Sequence, residues 1–130
     1  MVEYVKVENT YATGGLYSQA VKANRLLFIS GQVALDKEGN LVGKGDITLQ
    51  TQQVMENLKA TLEAAGCTFN DVTRISIFLV NLEDRPKFHE VRKRYFKDSL
   101  PASTLLVVKS LANKDYLVEV EAIAQIPAKK

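Results

Sequence analysis

Glu119 and Glu121 stand two apart in the apolar run Leu117-Val-Glu-Val-Glu-Ala-Ile-Ala124, and in an extended chain residues two apart share a face. Val118, Val120, Ala122, Ala124 and Ile126 then form one side, and the two carboxylates point to the other with Leu117 and Ile123. A carboxylate on a partly buried strand face is raised in pKa and can exchange protons near neutrality, as a general base must. The same position suits an interface ion pair, with Arg74 as partner, and the pattern alone favours neither. The other reactive types narrow the chemistry. One histidine, His89, and one cysteine, Cys67, make no set for a transition metal. Ser30 and Ser103 lack a histidine-plus-acid pair that would activate them as nucleophiles, so Ser30 reads as a hydrogen-bond donor and Ser103 as a turn residue. Tyr17, after Gly14-Gly15, either packs a strand end or aims its hydroxyl at a ligand. His89 shares a helical stripe with Arg85, Arg92 and Phe96 and reads as a solvated or subunit-contact residue. Cys67 reads as a small buried hydrophobe.

Two helices and six strands must position these groups. In Thr48–Ala65, Val54, Leu58, Leu62 and Ala65 recur every three or four residues, with Asp46 or Thr48 as cap and Gly66 at the exit. In Asp84–Lys97, Asp84 is placed to cap, Pro86 falls in the first turn, and Phe88, Val91 and Tyr95 form the stripe. Strands are expected at Tyr4–Val7, Leu16–Lys22, Leu26–Ala34, Val72–Val80, Thr104–Val108 and Leu117–Ile126, with turns at Ala23-Asn24, 37–40 and 112–115. Two helices cover only one face of such a sheet, and Thr73, Ile75, Ile77 and Leu79 supply its apolar side. The opposite face would carry Arg74, Ser76, Phe78, Glu119, Glu121 and Ile123, a mixed set that self-association would cover.

The 130 residues suit one domain spanning 1–130, and the net charge of +2 comes from interspersed signs. Arg92, Lys93, Arg94 and Lys97 are interrupted by Glu90 and Asp98 and point in several directions on a helix, so nucleic acid is not the expected partner. No apolar stretch approaches the roughly 20 residues of a membrane helix. The single cysteine and the absence of a basic-then-apolar start point to a reducing, cytoplasmic setting.

Several segments together carry a resemblance: Gly15-Leu-Tyr17-Ser-Gln19, Phe28-Ile-Ser30-Gly31-Gln32, 57–66 ending the first helix, Val80-Asn-Leu82-Glu-Asp84, Pro101-Ala-Ser103-Thr104 and the 117–124 run. The chain closely resembles the Rid (reactive intermediate deaminase) or YjgF family over nearly its whole length. The resemblance implies an α+β fold of the chorismate mutase-like, YjgF type: a mixed sheet, two helices on one face, and three subunits about a β-barrel-like centre. It implies ligand clefts between subunits and hydrolytic deamination of reactive enamines and imines without a metal or organic cofactor. Tyr17 and Ser30 would line the cleft, backbone groups near Gly31 and Leu105 would hold the ligand, and Glu121 would orient the water, leaving Glu119 a structural role.

The chain departs from that pattern twice. Deaminating members carry an arginine at the third place of the Pro-Ala-x-Ser/Thr turn, where Ser103 stands here, and the family's usual asparagine on the second helix is His89. A serine hydroxyl offers one neutral donor where an arginine fork gives two charge-assisted bonds. The expectation is therefore an imine or enamine deaminase with altered carboxylate recognition. Its rival is a non-catalytic homotrimer that binds a metabolite or a partner, in a family whose older labels are endoribonuclease and translation inhibitor.

Overall fold

The computed structural model describes residues 1–128. The chain forms β1 (Val2–Val5), β2 (Ala20–Ala23), β3 (Leu26–Gln32), α1 (Ile47–Ala64), β4 (Val72–Leu79), α2 (Arg85–Tyr95), β5 (Ala102–Val107) and β6 (Val118–Gln125), with short 3₁₀ turns at Phe69–Asp71 and Leu82–Asp84. One six-stranded sheet takes the order β1-β2-β3-β6-β4-β5. Every pairing is antiparallel except β4 with β5, which run parallel because α2 carries the chain back across the sheet between them.

The alternation read along β6 is met: Val118, Val120, Ala122 and Ala124 are buried. They pack with Leu27 and Ile29 of β3 and Ile75, Ile77 and Leu79 of β4 beneath Val54, Leu58 and Leu62 of α1 and Phe88 and Val91 of α2. Each fully buried side chain of this size contributes about 1.5–3 kcal/mol by leaving water. α1 starts where Asp46 Oδ1 accepts from the Leu49 amide at 3.1 Å and stops at Gly66, whose φ of 77° fits the left-handed exit.

Five expectations need correction. Thr73 does not face the core. The β4–β6 register slips between Val72 and Arg74, so Thr73 is exposed, and the buried Val72 takes its place. The strand expected at Leu16–Lys22 shrinks to Ala20–Ala23, because Gly14 and Gly15 take φ of 69° and 74° and turn the chain away from the sheet. β1 lies earlier than Tyr4–Val7, pairing Val2–Val5 against β2. The first hairpin turns on Asn24 (φ 55°) and Arg25, one residue later than expected. Asp84 does not cap α2: the Leu82–Asp84 turn holds it at φ −79°, ψ −11°, and its side chain makes no capping bond.

The sheet face away from the helices carries Phe28, Arg74, Ser76, Phe78, Glu119, Glu121, Ile123, Thr104 and Leu106, placed there by strand alternation and register. Leu106 is 51% and Phe28 43% exposed. No helix is long and apolar enough to cross a membrane among the described residues.

Candidate active site

Tyr17 leaves the Gly14-Gly15 turn and reaches a cleft of about 390 Å³ lined by Tyr11, Ser30, Gly31, Tyr116 and Glu119. A chain of buried amides ties the 11–19 segment to β3. Gln19 Nε2 donates to the Tyr11 carbonyl at 3.1 Å, and Gln32 Nε2 donates to Gln19 Oε1 and to the Ser30 carbonyl, both at 2.9 Å. Ser30 Oγ donates to the Ser18 carbonyl at 2.6 Å, and its amide donates to the Gln19 carbonyl at 2.9 Å. The Ser30 hydroxyl hydrogen is thereby spent within the chain, so the donor role expected of Ser30 is taken up by the Ser18 carbonyl.

β3 departs from regular pairing with β6 between Ile29 and Gln32, and Gly31 sits in that irregularity. A Cβ at Gly31 would lie 2.7 Å from Glu119 Cδ. Glycine is what lets the strand backbone approach the carboxylate. Burial, and then the neighbouring Glu121, push the Glu119 carboxyl above its ordinary range. Tyr11 is buried behind it, its hydroxyl accepting from the Val33 amide at 3.2 Å, and desolvation raises its pKa to about 12.

Glu121 does not join Tyr17, Ser30 and Gly31 in this cleft. It lies farther along the open face in a second hollow of about 200 Å³ with Phe28, Arg74, Ser76 and Ile123. The partial burial expected of it is not found within one protomer, where the strand face beside it is open and Glu121 is exposed. Nor do Arg74 and Glu121 make an ion pair; among the described residues the only such contact is Lys44 with Asp115 at 3.9 Å. The Arg74 guanidinium instead donates from Nη2 to Thr104 Oγ1 at 2.8 Å. Register sets Glu121, Ser76 and Thr104 side by side across β6, β4 and β5.

Ser103 falls on the opposite face of β5, paired with the buried Ile75 and turned toward α2. There its Oγ accepts from Arg92 Nη1 at 3.1 Å. The Arg92 guanidinium lies 6.0 Å from the centre of the Phe96 ring, and burial lowers its pKa. One turn earlier, His89 rests edge-on against Phe88 and is lowered by burial and by Arg92, Arg85 and Lys93. The Leu105 side chain packs into the core edge. β5 borders the sheet, so alternate backbone groups along it have no strand beyond them.

Residues 7–126 match the family model described as Endoribonuclease L-PSP. The chain belongs to the Rid family. Within the Rid family, a RutC family protein of Pyrococcus horikoshii is 46% identical over 124 residues, spanning 95% of this chain and 98% of its own length. The 2-iminobutanoate/2-iminopropanoate deaminase of Mus musculus is 40% identical over 110 residues, 85% of this chain and 81% of the relative. A crystal structure of a Rid family protein from Yersinia pestis superposes with a TM-score of 0.92 at 34% identity, covering 97% of this chain and all (100%) of that one. The YjgF-type mixed sheet with two helices that the resemblance implied is thus the fold observed.

The Rid chain brings Tyr17, Ser30 and Gly31 together and sets Glu121 and the Ser103, His89 and Leu105 group apart from them. Nothing in the sequence pattern singles out Tyr11 or Tyr116 for the cleft, and it gives Glu119 a structural role and Arg92 a place in a basic run. Gln19 and Gln32 were visible inside the recognised segments. Arg92 had one local signal, its three-residue spacing from His89.

Proposed function

We propose that this chain is a hydrolytic deaminase of small reactive imines and enamines, working in clefts completed between subunits of a homotrimer. The observation that carries the reading is the 40% identity to a 2-iminobutanoate/2-iminopropanoate deaminase over 81% of that enzyme. The division of the candidate residues supports the assembly part of the reading. Tyr17, Ser30 and Gly31 face one cleft and Glu121 another hollow of the same sheet face, so a neighbouring copy laid on that face brings one group opposite the other.

In such a cleft water adds to the imine carbon as Glu121 takes one of its protons and the C=N π pair moves to nitrogen. Glu121 passes that proton to nitrogen, giving a carbinolamine; the hydroxyl's remaining proton then moves to nitrogen, by way of the same carboxylate, as the C–N bond breaks, releasing a ketone and ammonia with Glu121 back at its starting charge. A subunit packed over Glu121 shields the carboxylate and the water it orients from bulk solvent. Ser103, in place of the arginine of deaminating relatives, means that carboxylate recognition is altered from the family pattern.

The test is ammonia release from 2-aminoacrylate generated in situ by a dehydratase, above the uncatalysed rate. Glu121→Gln keeps the shape and loses the proton acceptor, so kcat should fall by about 10²–10⁴-fold with the oligomer intact. No acceleration by the wild-type protein on carboxylated or uncharged imines would instead favour a non-catalytic binding trimer.

A further inference from the structure

We propose that Arg92, reaching from α2 to Ser103 on β5, is a carboxylate-binding group at the edge of the sheet. The proposal rests on the deaminase reading for the identity of the ligand, though not for the existence of the anion site.

Arg92 is half-buried, yet no carboxylate lies within ion-pair distance of it among the described residues. A partly desolvated guanidinium without a counter-charge is costly unless an anion meets it. Its only hydrogen bond among the described residues runs from Nη1 to Ser103 Oγ, so Nη2 and Nε keep the pair of parallel N–H groups that a carboxylate accepts. The Phe96 face on one side and the Ser103 hydroxyl on the other fix the plane of the fork. Ser103 is then the anchor of a guanidinium that arrives from the helix.

His89, one turn away and surrounded by Arg92, Arg85 and Lys93, is disfavoured as a cation and offers a neutral imidazole beside the same spot. Arg74, whose guanidinium meets Thr104 on the opposite face of the sheet, is a weaker candidate: it lines its hollow together with Glu121, whose carboxylate already supplies negative charge there.

Binding and turnover are measured separately. Titration calorimetry with 2-oxobutanoate, the keto acid product, and with uncharged 2-butanone should show the wild-type protein preferring the carboxylate. Arg92→Gln should weaken 2-oxobutanoate by about ten- to a hundredfold and leave 2-butanone unchanged, as loss of a charge-assisted pair predicts. The double variant Arg92→Gln/Ser103→Arg, which moves the guanidinium from helix to strand, should recover most of that loss. A purely structural Arg92 would show no such rescue. Equal affinity of wild type and Arg92→Gln for 2-oxobutanoate, or no measurable binding by the folded wild type at millimolar ligand, overturns the proposal. If 2-oxobutanoate binding depends on Arg92 while no imine is hydrolysed, the anion site stands and the deaminase reading falls. If 2-iminobutanoate is hydrolysed as well by Arg92→Gln as by wild type, the deaminase reading stands and the anion site falls.

Discussion

The two acids of β6 divide their duties by a single alternation step. Both point off the core, but Glu119 lies against the Gly31 backbone, while Glu121 stands free on the open face. Glu119 is held above its unfolded pKa by burial and by Glu121. A carboxyl shifted upward stabilises the fold below its unfolded pKa, and that contribution is lost as pH rises through the folded value. Glu119→Gln removes the titration, so it should raise Tm at pH 7.5 and do so less or not at all at pH 4. Calorimetric Tm values for both proteins across that range check the sign. A gain that grows toward acid would mean that Glu119 is stabilised as an anion by a partner. Alternation alone put both acids on one face; which of them the backbone touches depends on the β3 irregularity at Gly31, where a glycine inside a strand is the one residue in 26–34 that hints at it.

At the scale of elements, α1 does more than cover the sheet. Asn57 Nδ2 donates to the carbonyls of Val33 and Leu35, both at 2.9 Å, and Gln50 accepts from the Leu117 amide at 2.8 Å while donating to the carbonyls of Gly43 and Asp115. These amides fasten the chain leaving β3 and the chain entering β6, the two segments that carry the clefts. Asn57→Leu fills the space but strands two carbonyls, and should cost about 1–3 kcal/mol in urea unfolding, with m unchanged. The helix itself was legible because Val54, Leu58 and Leu62 repeat at helical spacing. Gln50, Thr51, Asn57 and Thr61 are just as buried, but a buried amide has no periodic signature that separates it from an exposed one. The same limit explains Arg92. Its period placed it on the His89 stripe, and only the parallel β4–α2–β5 crossover brings that stripe over Ser103.

The whole molecule leaves one sheet face without cover, and Phe28, Leu106, Phe78 and Ile123 lie there among charged neighbours. A homotrimer is the expected state, and light scattering after size exclusion should give about three chain masses, 14.5 kDa each. Phe28→Asp, which leaves the core untouched, should shift that mass toward the monomer and abolish turnover with it. A stable wild-type monomer at micromolar concentration would remove the shared cleft. The fold class and the bare face were readable from two helices set against six strands, since two helices cannot cover both sides. How copies would pack over that face was not, because it depends on surfaces of separate chains.

The order of the strands also dictates when the molecule comes into being. β6, last in the chain, lies at the middle of the sheet between β3 and β4, with Leu26 opposite Gln125. During synthesis the β1–β2–β3 ribbon and the β4–α2–β5 crossover emerge as two pieces with no strand to join them, each with an unpaired strand edge that only β6 can fill. Pairings so distant in sequence are slow to form, and unpaired edges of this kind invite chaperones and misassociation. Glu119 and Glu121 ride on that closing strand, so the chain acquires its acids and its sheet in the same step.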